Sequence, residues 1–338
     1  MARLFKLLLA VGLVLAIVVV GLYVIPSDQY IFLPDKARPL APYVTVKGEK
    51  SDSDGGGIYY VAVEVKKASL LEKLFHGLHE GSTLVPAAAV KSPGESDKQH
   101  QTQELQAMAE SQEIGAAVAL RSLGYRVPVN SPGTVVAAVA PKGPSAGKLD
   151  ANDIIVSVDG QPTPFLPSLR RAIGKHRPGQ QVQLKVRRGD KVSTVRVKTT
   201  ADPKDKSRPL IGVLTSCALQ QASKIDLPVP VHIDLGQVGG PSAGLAFALE
   251  VAEKLGRDVD RGHKVAATGE MCLDGTVAPV GGLKQKTIGA RRAGAKVFLV
   301  PAGENAQEAR HYAGNMRIIP VNSFRQALRA LATLRKKE

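Results

Sequence analysis

The sequence predicts an α/β (α+β) protein that begins with a transmembrane helix and contains an inserted β-rich module. Three observations predict this fold: an uncharged apolar run over 7–25, short strand-like segments over 133–198, and strands alternating with helices from residue 208 onward. A long apolar run predicts a membrane span, and mixed strand and helix periodicities predict a mixed fold. With 338 residues, the chain is long enough for two ordinary domains.

The apolar run from Leu7 to Ile25 has the length that a helix needs to cross about 30 Å of hydrocarbon. Arg3 and Lys6 precede it, so the positive-inside rule leaves the N-terminus in the cytoplasm and the rest of the chain outside. A cleaved signal peptide is the alternative, but Val24-Ile25-Pro26-Ser27 is a poor cleavage site. We therefore expect an uncleaved single-pass membrane anchor.

The net charge of +15 is spread along the chain and is densest over 185–198 and 335–337. The chain has no tryptophan, few aromatic residues that could stack on bases, and no C2H2 or RNP-like pattern. We therefore expect a solvated basic face, near anionic lipid head groups, and no nucleic-acid partner.

The two cysteines, Cys217 and Cys272, cannot build a zinc site by themselves. We expect two unpaired or buried thiols. Pairing is the alternative if this part of the chain is exported.

The first elements after the anchor are two predicted strands, Tyr43–Glu49 and Ile58–Lys66, the second with the alternation of a half-buried strand. The glycine-rich stretch 51–57 predicts a flexible hairpin loop between them. The polar stretch 91–104 predicts a mobile loop, and a helix is expected over about 103–123.

The module that follows has two predicted strands, Gly133–Val139 and Asp153–Gly160, a helix over 166–176, and a hairpin formed by 182–186 and 193–198. This order and the residues "PKGPSAGKLDANDIIVSVDGQP" resemble a PDZ domain, assigned to residues 127–202. The resemblance implies binding of an extended peptide as an added strand. Gly124 and Gly133 are the candidate peptide-binding glycines, because each lies in a turn near the start of the module.

Strands and helices alternate in the remaining part of the chain. Ser323 is the predicted N-cap of the last helix. The predicted strands are 229–235, 264–268, 275–280, 296–301 and 317–321, and the predicted helices are 241–255, 283–293, 306–313 and 323–334.

A candidate nucleophile lies in the segment Gly239-Gly240-Pro241-Ser242-Ala243-Gly244. Pro241 suits the first turn of a helix, where free N–H groups and the positive end of the helix converge near Ser242. Those N–H groups could hold an oxyanion, and the glycines let a substrate backbone approach. The pentapeptide Gly-Pro-Ser-Ala-Gly is weak evidence by itself, because Gly143–Gly147 has the same sequence inside the β-rich module, where the pattern predicts a turn.

A candidate base lies in the segment Gly281-Gly282-Leu283-Lys284-Gln285-Lys286. A lysine activates a serine only when it is neutral, and burial among apolar groups lowers its pKa. On a helix, Lys286 neighbours Leu283 and Ala290, which favours a desolvated amine. Helical periodicity does not exclude Lys284 as the base.

Together, these segments and the intervening "TGEMCLDGTVAPVGGLKQK" resemble the proteolytic domain of the Lon family. The resemblance implies a Ser–Lys dyad in which Ser242 is the nucleophile and Lys286 is the general base. It also implies that Thr268 helps to hold the lysine amine. Gly239 occupies a position where many Lon proteases have an acidic residue, so access to the serine is expected to be regulated differently.

The resemblance extends to "GGGIYYVAVEV" and "AMAESQEIGAAVALRSLGY", which are similar to early elements of the same domain. The anchor, PDZ and protease arrangement is similar to the YlbL type of bacterial membrane protease. It implies cleavage of unfolded or exposed protein segments, no cofactor or metal, and ring-like self-association. The sequence has no Walker A motif, so no use of ATP is expected. The predicted boundaries are 1–30 for the cytoplasmic tip and anchor, 31–126 for the first part of the protease domain, 127–202 for the PDZ domain and 203–338 for the catalytic part.

Two other interpretations remain open. His232 and Asp234 point the same way on a predicted strand shortly before Ser242, which allows a Ser–His–Asp triad. A peptide-binding scaffold that carries an inactive protease domain is the alternative from another functional class. No His-Glu-x-x-His pattern is present for zinc hydrolysis.

Overall fold

The computed structural model describes residues 2–50, 55–75, 77–91, 94–203, 205–215, 217 and 224–336. An apolar helix, α1, opens the chain, and a body of short strands and two further helices follows it as far as residue 122. These first elements are α1 (Ala2–Val24), β1 (Pro26–Pro34), β2 (Arg38–Pro39), β3 (Val44–Val46), β4 (Gly57–Tyr60), β5 (Val63–Ser69), α2 (Leu70–Leu74), β6 (Thr83–Pro86) and α3 (Asp97–Ser122).

The middle of the chain is mostly β-structure, with one short helix, as the sequence predicts. Its elements are β7 (Val129–Asn130), β8 (Thr134–Val139), β9 (Ile154–Val158), β10 (Gln161–Pro162), α4 (Leu166–Ile173), β11 (Gln181–Arg188), β12 (Lys191–Lys198), β13 (Thr200–Ala201), β14 (Pro209–Leu210) and β15 (Val213–Thr215).

Strands and helices alternate over the last part of the chain. Its elements are β16 (Lys224–Ile225), β17 (Val231–Ile233), α5 (Gly244–Lys254), β18 (Lys264–Ala267), β19 (Glu270–Met271), β20 (Val277–Ala278), α6 (Leu283–Arg292), β21 (Val297–Pro301), α7 (Glu304–Tyr312), β22 (Arg317–Val321) and α8 (Phe324–Ala332).

A five-stranded sheet in the order β2-β4-β18-β21-β22 forms the centre of the body. Strand β18 pairs in parallel with β4 and with β21, and β21 pairs in parallel with β22. Because parallel sheets are covered on both faces, these strands need apolar side chains on both faces. Ala267 and Leu299 face a core shared with α3, α5 and α8, whereas Ala266 and Phe298 face a second core shared with α6 and α7. Because β4 and α3 precede the β-rich module and β18 and α5 follow it, the two flanking parts share one sheet and one core.

The module has its own sheet, β12-β11-β9-β8-β15, and its own core, which includes Ile155, Leu169 and Leu184. Strand β15 pairs with β8, so residues 213–215 belong to this sheet. This sheet therefore extends beyond residue 202, and the predicted domain boundary stays a prediction. Alternation could not identify β15 in the sequence, because the strand is only three residues long.

Two predictions for the front of the body are wrong. The predicted strand 58–66 is split into β4 and β5, which lie in different sheets and pair with β18 and β1 respectively. The stretch 51–57 is not a hairpin connection, because β3 pairs with β17 instead of β4; residues 51–54 lie outside the described residues. Alternation identifies a strand but not the sheet that it joins.

The polar stretch 91–104 is not a loop throughout, because α3 begins at Asp97. Ser96 caps this helix: its hydroxyl accepts a hydrogen bond from the N–H of Gln99, whose side chain bonds back to the N–H of Ser96. This capping box is visible in the sequence, but the polar composition of the first turns suggested a loop. Ser92 and Pro93 lie outside the described residues.

Cys217 and Cys272 form a disulfide with Cα atoms 4.8 Å apart, so the expectation of unpaired thiols is wrong. The cysteines lie 55 residues apart, and their proximity depends on how the chain returns from the module. The disulfide joins the segment after β15 to the segment after β19, beside a cavity of about 400 Å³ that Arg170 and Arg208 also line.

Candidate active site

Ser242 lies in a single 3-10 turn, Pro241–Ala243, that leads directly into the buried helix α5. Gly240 precedes the turn with φ of 89°, a conformation that favours glycine. The Ser242 side chain is half-buried, whereas α5 is buried from Gly244 to Ala252. The sequence prediction of a serine at the start of a helix is confirmed.

Helix α3 holds this turn in place through two hydrogen bonds. The Glu104 carbonyl accepts a bond from the Gly240 N–H at 2.8 Å, and the buried Ser111 hydroxyl donates to the Pro241 carbonyl at 2.9 Å. Sequence reasoning missed Ser111 because it lies 130 residues before its partner. These contacts fix the backbone on the N-terminal side of Ser242.

The glycines of the segment are required by packing. A Cβ atom at Gly239 would lie 2.7 Å from the Cβ of Glu104, and one at Gly244 would lie 2.8 Å from the Ser111 hydroxyl. The close approach of α3 therefore explains why no acidic side chain stands at position 239. The N–H of Gly240 is bonded to Glu104, and the N–H of Gly244 is bonded to the Pro241 carbonyl.

The strand end at Thr268 and Gly269 fixes the other side of the serine. The Ser242 carbonyl accepts hydrogen bonds from the Gly269 N–H at 2.8 Å and from the fully buried Thr268 hydroxyl at 3.1 Å. The Gly269 carbonyl accepts a bond from the N–H of Leu245. Thr268 thus contacts the backbone of the serine, and its contact with the lysine amine stays a prediction.

Lys286 lies on α6 and is 5% exposed. Burial lowers the pKa of its amine from 10.5 to about 8, because the charged form loses its hydration. Desolvation is the cause of this shift, and no hydrogen bond joins the amine to the Ser242 hydroxyl among the described residues.

Lys284, which periodicity left open as a base, has a different environment. Its amine donates to the Ser82 carbonyl at 2.9 Å and lies 5.8 Å from the centre of the Tyr312 ring. It is half-buried and held against the loop before β6. Of the two lysines, Lys286 is the one whose environment suits a neutral amine.

The Ser–His–Asp interpretation is not supported by the geometry. His232 is exposed on β17, and the Asp234 carboxylate accepts a hydrogen bond from the Gly236 N–H at 2.8 Å, an arrangement that closes a local turn. The repeated pentapeptide is structural: Ser145 is fully buried and its hydroxyl donates to the Ile211 carbonyl at 2.6 Å.

Both candidate peptide-binding glycines have structural roles. Gly124 has φ of 89° and ends α3, with its N–H bonded to the Arg121 carbonyl. Gly133 is buried, and a Cβ atom there would lie 2.4 Å from the Ile155 carbonyl oxygen. Gly124 is exposed and Gly133 is not, and a peptide-binding role for either glycine stays a prediction.

Comparisons with known families agree with this division of the chain. Residues 121–199 match the PDZ domain model, and residues 214–333 match the Lon protease (S16) C-terminal proteolytic domain. The PDZ domain of an SdrC-like protein from Listeria monocytogenes is 29% identical, with a TM-score of 0.25; the match covers 26% of this chain and 92% of that one.

Curated relatives match in the catalytic part. Lon protease 1 of Myxococcus xanthus is 37% identical over 116 residues, which is 32% of this chain and 14% of that protein. Lon protease of Campylobacter concisus is 45% identical over 73 residues, 21% of this chain and 9% of that protein. The chain thus spans a small part of the length of these relatives. It carries a PDZ domain joined to a proteolytic domain of the Lon (S16) type.

Proposed function

We propose that this chain is a membrane-anchored, ATP-independent serine endopeptidase in which Ser242 is the nucleophile and Lys286 is the general base. One observation carries the proposal: a half-buried serine at the start of α5 occurs in the same domain as a buried lysine whose pKa falls to about 8. A neutral amine is the form that can accept a proton from a serine hydroxyl.

The proposed reaction is acyl transfer. Neutral Lys286 takes the proton of the Ser242 hydroxyl as its oxygen attacks the peptide carbonyl carbon, and the resulting ammonium then protonates the leaving amine. Water next attacks the acyl-enzyme, with Lys286 again accepting a proton, and releases the carboxylate product. We propose that the N–H groups of Ser242 and Ala243 stabilise the oxyanion of the tetrahedral intermediate. The next two N–H groups, those of Gly244 and Leu245, already donate to backbone carbonyls.

The substrates proposed are unfolded or exposed protein segments, because no nucleotide-binding motif is present to drive unfolding. The PDZ domain would select them by pairing with an extended peptide, as such domains do. Self-association into a ring belongs to the same proposal. Residues 31–126 and the part of 203–338 that follows β15 would form one protease domain, which is supported by the pairing of β4 with β18.

The proposed location places the protease outside the cytoplasm, with α1 in the membrane. Residues Leu4–Val24 form a helix that is long and apolar enough to cross a bilayer. Arg3 and Lys6 precede most of this helix and favour a cytoplasmic N-terminus. The disulfide between Cys217 and Cys272 supports an oxidising compartment, because disulfides seldom persist in the cytosol.

The test is cleavage of a permanently unfolded, carboxymethylated protein by the full chain in detergent micelles without ATP. Ser242→Ala and Lys286→Ala should each abolish cleavage. Two matched controls should retain it: Ser145→Ala, which alters the same pentapeptide in the module, and Lys284→Ala, which alters the same helix as Lys286.

A fluorophosphonate probe should label Ser242 and leave Ser145 unlabelled. If the parent neither cuts nor labels but still binds peptides, the proposal fails and a peptide-binding scaffold with an inactive protease domain becomes the better description. If the Lys284→Ala variant loses activity while Lys286→Ala keeps it, the base has been assigned to the wrong lysine.

A further inference from the structure

Three large apolar side chains are exposed within five residues of one another, on α2 and the turn after it. Leu74, Phe75 and Leu78 are 61%, 58% and 51% exposed. The other large apolar side chains that are exposed between 26 and 336, within the described ranges, are Tyr43, Val65, Tyr125, Val192 and Leu214. Clustered exposure of this kind marks an interaction surface, whereas single exposed residues do not. We call these three residues the apolar cluster.

The apolar cluster lies beside the end of the proposed membrane helix. Helix α1 contacts α2, and the Ile25 carbonyl accepts a hydrogen bond from the Leu70 N–H at 2.9 Å. Strand β1 starts at Pro26, opposite Ser69, so the anchor passes into the folded body with no intervening linker. Residues 4–24 span roughly 31 Å as a helix, about the hydrocarbon thickness of a bilayer. Helix α2 therefore starts at the level of the lipid head groups.

The charged side chains that the structure describes beside the apolar cluster include several that are paired. Lys73 bonds to Asp28, and Lys66 lies 3.1 Å from the buried carboxylate of Glu72. The same carboxylate bonds to His79 at 2.9 Å and to the N–H of Ser69, which fixes α2 and the turn after it. Among the described residues here, the three exposed apolar side chains are therefore the groups that carry no polar partner of their own.

The turn after α2 is also joined to the candidate active site. The Gly81 carbonyl accepts a hydrogen bond from Gln285, and the Ser82 carbonyl accepts one from Lys284. Lys284 and Gln285 lie on α6, the helix that carries Lys286. The segment that follows the apolar cluster is therefore in hydrogen-bond contact with α6.

We propose that Leu74, Phe75 and Leu78 insert into the interface of the bilayer that α1 crosses and form a second contact with the same membrane. The partner is the boundary between head groups and acyl chains of a phospholipid bilayer. Because a single helix would leave the body free to tilt, this second contact fixes the orientation of the protease domain against the membrane. The inference rests on the membrane anchor proposed above.

The absence of tryptophan from the sequence allows a direct test with single-tryptophan variants of the full chain. The probe is quenching by brominated phosphatidylcholine in nanodiscs, compared with unbrominated nanodiscs of the same neutral lipid. Phe75→Trp and Leu78→Trp report the apolar cluster, Val14→Trp reports the centre of α1, and Leu214→Trp, which is 68% exposed, is the matched control on the module.

We expect loss of emission for Val14→Trp, Phe75→Trp and Leu78→Trp, and unchanged emission for Leu214→Trp. Quenching at position 14 with none at positions 75 and 78 would overturn the second contact and keep the anchor. Quenching at 75 and 78 without quenching at 14 would overturn the inference, because the apolar cluster would then contact lipid without a helix that crosses the same bilayer. Quenching of all four tryptophans would overturn the inference, because the contact would then be non-specific, and an unquenched set would overturn both proposals.

Discussion

The hydroxyl of Thr268 donates a hydrogen bond to the carbonyl oxygen of Ser242 at 3.1 Å. This bond joins the end of a central strand to the backbone of the candidate nucleophile, beside the bond from the Gly269 N–H to the same oxygen. A shift of this backbone would move the Ser242 hydroxyl, and small displacements of a nucleophile reduce rates strongly. We therefore propose that Thr268 positions Ser242.

The first prediction concerns this bond. Thr268→Val removes the hydroxyl but keeps the shape, so we expect kcat for peptide cleavage to fall while KM changes little. The stability cost should be about 1 kcal/mol, as for a typical buried hydrogen bond. Thr163→Val is the matched control, since the Thr163 hydroxyl is buried and donates to the Ile155 carbonyl at 2.9 Å within the module. Equal activity losses in both variants would contradict a positioning role.

The second prediction concerns the pH dependence of cleavage. Because the pKa of Lys286 falls to about 8, its neutral fraction increases between pH 6 and 9, and cleavage should increase with it. The measurement is kcat/KM against pH for a short peptide substrate. Lys284→Ala should leave the profile in place. A flat profile over this range would contradict Lys286 as the base.

The same group gives a third prediction, on stability. Between about pH 8 and 10.5 the unfolded chain binds a proton at position 286 that the folded chain does not, so the unfolding free energy of the parent rises with pH there. Below pH 8 the parent carries the full cost of the buried charge, roughly 3 kcal/mol for a pKa lowered from 10.5 to about 8. Lys286→Met should therefore be the more stable protein at pH 7, with an advantage that shrinks toward pH 10. Urea melts at the two pH values measure it, and a constant difference would contradict the account.

A fourth prediction concerns Glu250, a 2% exposed residue of α5 whose pKa is raised by burial to about 8. Here the folded chain binds the extra proton between pH 4.5 and about 8, so its stability falls as the pH rises through that window. Glu250→Gln should leave stability little changed at pH 5 and raise it at pH 9. Thermal melts at both values test this, and an equal shift at the two pH values would point to packing instead of titration.

The fifth prediction concerns the disulfide between Cys217 and Cys272. Protein exported by cells should give a linked peptide containing both cysteines under non-reducing digestion. A reducing agent should lower the unfolding free energy by on the order of 2–4 kcal/mol, because the released loop gains freedom in the unfolded chain. The double variant Cys217→Ser with Cys272→Ser should not respond to the reducing agent. Free thiols in the exported protein would contradict the pairing.

The sequence determined the helices around the candidate site and the identity of the chemical groups. Apolar periodicity located α5 and α6, and the Gly-Pro-Ser turn and the second lysine of the Gly-Gly-Leu-Lys-Gln-Lys segment marked the candidate dyad. These features depend on neighbours within a few residues, so a linear pattern contains them. For the same reason, Ser323 was recognised as the cap of α8, where its hydroxyl accepts from the Gln326 N–H.

Only the tertiary structure decided which distant segments meet. The pairing of β4 with β18, the bond from Ser111 to the Pro241 carbonyl and the disulfide join residues that lie 55 to 200 or so positions apart. The structure also gave chemically similar residues different environments, because Lys286 is buried and Lys284 is half-buried, whereas Ser145 is buried and Ser242 is half-buried. Desolvation depends on everything packed around a group, and no local pattern contains that information.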